Sequence, residues 1–81
     1  MNLTERDRRL LVGIYEVGGH LVLTLSQKDD IILAHKLQDL GLVSLVPSVQ
    51  SRTTSVHLTE EGQNLASNLK SRGFESSYRY T

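Results

Sequence analysis

The seventeen residues between Gly41 and Thr59, "LVSLVPSVQSRTTSVHL", leave room for two short strands and a connection, and little else. The runs 42–46 and 54–58 are rich in the branched and apolar side chains that suit a pleated surface. Pro47 cannot donate to a ladder and is expected to end the first strand. The link "SVQSRT" is longer than a two-residue turn, so an extended hairpin loop is expected. Both flanks read as helix. Upstream, Ile32, Leu33, Leu37 and Leu40 recur at helical spacing, Ile31 and Ala34 widen the stripe, and Gly41 closes it. Downstream, Thr59 is placed to cap a helix that carries Glu60 and Glu61 in its first turn, Leu65 and Leu69 as anchors, and Gly73 at its end.

The first part of the chain supplies one more helix and one more strand. Over residues 4–17, Thr4 reads as an N-cap with Asp7 completing a variant capping box. Leu10, Leu11, Ile14, Tyr15 and Val17 form the apolar face. Gly13 costs this helix about 1 kcal/mol relative to alanine, which a close helix–helix contact would offset. Gly18-Gly19 stops it. Residues 21–25, "LVLTL", alternate as a strand, and Ser26 is placed to cap the next helix ahead of Asp29 and Asp30. The expected fold is α+β: three helices and a small antiparallel sheet of two or three strands, in one domain over residues 1–73 with a flexible tail at 74–81. Leu37, Leu40, Val43, Leu58 and Leu65 should meet in its core.

Two phrases carry a resemblance. Leu37, Gly41, Leu42 and Val43 form a Leu-x-x-x-Gly-Leu-Val phrase before the hairpin, and Leu58, Thr59, Gly62 and Leu65 form a Leu-Thr-x-x-Gly-x-x-Leu phrase after it. Together they resemble the winged-helix domains of MarR-like bacterial transcriptional regulators. Composition leads to the expectation of a cytoplasmic protein, and the resemblance implies a regulator that binds double-stranded DNA, with the helix before the hairpin in the major groove and the hairpin as the wing. The chain departs from that pattern between strand and wing. A full winged helix places two helices there, whereas Gln27–Leu40 supplies 14 residues with no internal glycine or proline.

Carried onto this sequence, the DNA-binding positions are Ser26, Gln27, Lys28, His35 and Gln38 on the reading helix and Gln50, Arg52 and Thr53 on the wing. Gln suits adenine and Lys suits guanine; a wing arginine suits phosphate. Charge works against this set. Nine Lys and Arg balance nine Asp and Glu, and between Gln27 and His57 the cations Lys28, Lys36 and Arg52 face Asp29, Asp30 and Asp39. That neutrality suits the alternative, a protein-interaction module such as an adaptor or an inhibitor carried by a mobile element. Arg6, Arg8 and Arg9 form the densest basic cluster and are expected to pair with Glu5, Asp7 or other surface acids.

Other classes find no support. The chain has no cysteine, and His20, His35 and His57 show no ligand spacing, so neither a metal nor a cofactor is expected. No nucleophile–base pair or phosphate-binding glycine loop appears, which argues against an enzyme. The charged start "MNLTERDRRLL" is unlike a leader, and no apolar run approaches the roughly 20 residues of a membrane span. The apolar surplus of the first helix suggests a homodimer through Leu11, Ile14, Tyr15 and Leu69.

Overall fold

The computed structural model describes residues 3–73. In chain order they form α1 (Glu5–Glu16), β1 (His20–Thr24), α2 (Lys28–Asp39), β2 (Val43–Ser48), β3 (Thr53–Leu58) and α3 (Glu60–Ser71). The strands make one antiparallel sheet in the order β1-β3-β2. The architecture is therefore α+β, with three helices, three strands and an element order compatible with a winged helix. The tail expected at 74–81 lies outside the described residues.

α1 starts as its sequence implies. The Asp7 amide donates to Thr4 Oγ1 at 3.2 Å and the Thr4 amide donates to Asp7 Oδ2 at 2.9 Å, a reciprocal capping box. Gly18 and Gly19 then turn the chain out of the helix with φ of +99° and +94°, a region open to glycine at no steric cost. Leu10, Leu11, Val12 and Ile14 are all fully buried within the protomer. Leu11 and Ile14, expected as part of a homodimer face, pack in the chain's own core. Tyr15 and Leu69 are half-buried and pack against that same core.

The core side of the sheet carries Leu21 and Leu23 from β1, Val43 from β2 and Val56 from β3. Ala34 and Leu37 of α2 and Ala66 of α3 close over it. Each buried leucine contributes about 1.5–3 kcal/mol relative to an exposed one. Of the five expected core residues, Leu37 and Val43 are buried, while Leu40, Leu58 and Leu65 pack against the cluster from its partly exposed margin.

Several boundaries differ from the sequence reading. β2 runs through Pro47 to Ser48, with Pro47 opposite Thr54. β2 is an edge strand, so a missing donor can face away from the sheet without breaking the ladder. Ser26 does not cap α2. Gln27 occupies the N-cap and makes no side-chain cap bond. Leu25 falls beyond the end of β1 and is 55% exposed. Ile32, counted with the apolar stripe, is 66% exposed. It stands five positions from Leu37, about 140° around the helix at 3.6 residues per turn.

The two phrases around the hairpin prove to be one clasp. The Thr59 amide donates to the Leu42 carbonyl at 3.0 Å, and its hydroxyl donates to the Gly41 carbonyl at 2.7 Å. The same hydroxyl accepts the Gly62 amide at 3.1 Å as the α3 cap. Gly41, with φ of +77°, ends α2 at the spot where Thr59 begins α3.

One ion pair reaches the interior. Lys36 Nζ of α2 lies 2.5 Å from Oδ2 of the fully buried Asp7, joining α2 to the first turn of α1. Burial alone would push the Asp7 carboxyl up. Hydrogen bonds from Lys36 and Thr4 outweigh it and hold the group below the usual carboxylate value.

Candidate nucleic-acid interface

The register of the sheet sets the geometry of the site. Thr24, the last residue of β1, lies opposite Thr53, the first residue of β3. The turn into α2 and the hairpin loop 49–52 therefore share one end of the molecule. Leu25 from the turn and Pro47, Val49 and Arg52 from the hairpin line a common groove of about 330 Å³.

The turn is fixed by its own side chains. Gln27 Oε1 accepts from the Thr24 amide at 3.0 Å and from its hydroxyl at 3.2 Å, while Thr24 Oγ1 and Ser26 Oγ lie 2.7 Å apart. The Gln27 amide also donates back to the Thr24 carbonyl at 3.0 Å. Among the described residues no helix stands between β1 and α2. A self-bonded turn stands where the resemblance implies the first helix of a helix-turn-helix pair. Ser26 and Gln27 are thus committed to local structure, which leaves their hydrogen-bonding groups poorly placed for base edges.

Lys28 opens α2 and is exposed. His35 and Gln38 are also exposed but lie about 10 and 15 Å farther along the axis at 1.5 Å per residue. On the hairpin, Gln50 and Arg52 are exposed; Thr53 is half-buried, with its hydroxyl 2.8 Å from that of Ser51. Arg52 has a left-handed backbone, φ +54°, unusual for a side chain of its size. The structure thus gathers Ser26, Gln27, Lys28, Gln50, Arg52 and Thr53 at one end and leaves His35 and Gln38 two to three turns away.

The cations elsewhere are largely engaged. Arg9 pairs with Glu5 at 2.6 Å, Lys70 with Glu16 at 2.9 Å, and Lys36 with Asp7. Arg8 donates to the Leu3 carbonyl at 2.6 Å. The expected pairing of the basic cluster holds for Arg9 and Glu5, whereas Asp7 takes its partner from α2. Lys28 and Arg52 form no ion pair among the described residues. Acids lie close to Lys28: Asp29 is exposed, and Asp30 is half-buried. Burial pushes the Asp30 carboxyl up, with Asp29 adding to the shift and Arg6 and Gln27 opposing it.

Sequence reasoning missed the Asp7–Lys36 pair and the exposure of Ile32. A helical-wheel angle would have revealed Ile32. A contact spanning 29 residues has no local signal. Compared with protein-family models, curated proteins and solved structures, the chain has no significant match.

Proposed function

We propose that this chain is a small DNA-binding regulator of winged-helix type that meets the duplex with the first turn of α2 and the β2–β3 hairpin. The observation that carries this reading is the pair Lys28 and Arg52. They stand at one end of the molecule without an intramolecular ion pair among the described residues, on the two elements that a winged helix brings to DNA. Lys28 is the candidate for a base edge and Arg52 for phosphate. A single phosphate contact releases few counterions, so the slope of log K against log salt would be only about −0.9. Binding of this kind is weak and gains from a second module on the same DNA.

The test is a salt titration of affinity for random and selected duplexes. Arg52→Ala weakens binding to all sequences alike and flattens the slope by about 0.9. Lys28→Ala relaxes preference at one base position. Asp29→Asn strengthens binding by removing a repelling carboxylate. Absence of binding at low salt in both the wild type and Asp29→Asn overturns the reading.

A second reading, a protein-interaction module, is favoured by Ile32. Its exposure of 66% on the outer face of α2, with Asp29 and Asp39 also exposed on that helix, suits a protein surface better than a phosphate backbone. Under this reading the partner complex is insensitive to salt and is lost in Ile32→Asp.

A further inference from the structure

His20 and His57 are 37 positions apart in sequence and directly opposite each other in the sheet. The Leu58 amide donates to the Gly19 carbonyl at 2.9 Å, which makes Gly19 and Leu58 a hydrogen-bonded pair. The next pair along, His20 and His57, is therefore a non-hydrogen-bonded one, the position at which cross-strand side chains stand closest. Their rings stack with centroids 5.3 Å apart and planes 12° from parallel. Both side chains are exposed, on the sheet face turned away from the core. The neighbouring residues on that face are Val22 and Thr24 of β1, Ser55 of β3, and Ser44 of β2, which lies opposite His57. None of these is charged.

We propose that His20 and His57 form a chelating site for a divalent first-row transition ion. Neutral imidazole is a good ligand for copper, nickel and zinc. The two strands fix the two rings side by side, so little freedom is lost when both bind one ion. The stack opens by rotation about side-chain bonds that no hydrogen bond holds among the described residues. The described residues contain no group of three or more His, Cys, Asp or Glu able to share a metal. The protein thus supplies two ligands, and water completes the sphere. An open sphere of this kind gives an exchangeable surface ion rather than a structural one. Affinity should follow the general order for such ligands, with Cu(II) above Ni(II) and Zn(II).

The experiment is calorimetric titration of the untagged chain with Ni(II), alongside imidazole proton–nitrogen spectra recorded with Zn(II). The expected result is one ion per chain, with the His20 and His57 resonances moving together and those of His35 unmoved. His20→Ala and His57→Ala each weaken Ni(II) binding by about tenfold or more, because a chelate becomes a single-ligand contact; His35→Ala leaves it unchanged. Wild type and His35→Ala gain thermal stability from Zn(II), whereas His20→Ala and His57→Ala do not. The two rings are exposed, so both variants should keep the fold, and circular dichroism verifies this. A stacking pair without a metal role would alter stability in the metal-free protein and leave ion affinity alone. Wild-type affinity in either single variant, or an equal loss in His35→Ala, overturns the site.

Discussion

A Cβ placed on Gly62 would stand 1.9 Å from the Leu42 carbonyl oxygen and 3.3 Å from a methyl of Leu58. Helix propensity favours alanine over glycine by about 1 kcal/mol, but that oxygen belongs to the backbone that accepts the Thr59 amide and cannot swing aside. Gly62→Ala should destabilise the chain by about 1–3 kcal/mol despite its better propensity. Urea unfolding decides the sign, and a stabilised variant would show that α3 can slide off β2.

Asp7 and Lys36 predict a pH signature. The Asp7 carboxyl is held below its unfolded value of 3.8, so its contribution is fully present above that pH and is lost as pH falls through the lower folded value. Asp7→Asn should cost about 2 kcal/mol at neutral pH and show a flatter decline of stability below pH 4. Lys36→Met leaves the carboxylate buried without its cation, so its deficit should shrink on acidification as Asp7 takes up a proton. Stability curves measured from neutral pH to pH 3 compare both variants with the wild type; acid slopes equal to that of the wild type would remove the pair from the stability of the fold.

Leu37 and Ile32 sit on the same helix with opposite surroundings, one fully buried and the other 66% exposed. Leu37→Ala should cost about 2–5 kcal/mol, and Ile32→Ala should stay within about 0.5 kcal/mol of the wild type. Chemical denaturation reads both. A large loss at Ile32 would mean that its side chain is covered in solution.

Arg52 separates binding from stability. Its left-handed φ of +54° carries a steric cost that glycine does not pay. Arg52→Gly should leave stability unchanged or raise it by up to about 1 kcal/mol, because relief of that cost is offset in part by the looser unfolded chain that glycine gives. If the proposed DNA-binding function holds, the same variant should lose duplex affinity to the extent expected of Arg52→Ala. Thermal unfolding and duplex titration on one preparation test both halves.

Element order, both cap threonines and the glycine stops were legible because each rests on chemistry confined to four or five neighbouring residues. Thr4 with Asp7 and Thr59 with Gly62 are local bonds, and the structure forms both. Readings failed where tertiary position decides. Pro47 is tolerated because β2 lies at an edge. The burial of Leu11 and Ile14 has no local signal, because the number of elements covering α1 cannot be counted from its own residues. Of the candidate site, the chemical types were legible and their grouping was not. The register of Thr24 with Thr53 brings Lys28 and Arg52 to one end, and nothing in the spacing of the two phrases states that register. The bonding of Gln27 to Thr24 was equally hidden, since a glutamine after a strand reads as free until its turn is seen.

The contact between Thr59 and Gly41 brings together the two ends of everything between them. The hairpin is thus an excursion that leaves and returns at a single point, much as an inserted domain does. Its length is decoupled from the packing of the helices. Adding two residues to each arm would preserve the alternation of inward and outward side chains and carry the loop about 6–7 Å farther out at the rise of a strand. Chains built on this plan can therefore vary the reach of the loop without altering the body that holds the hairpin.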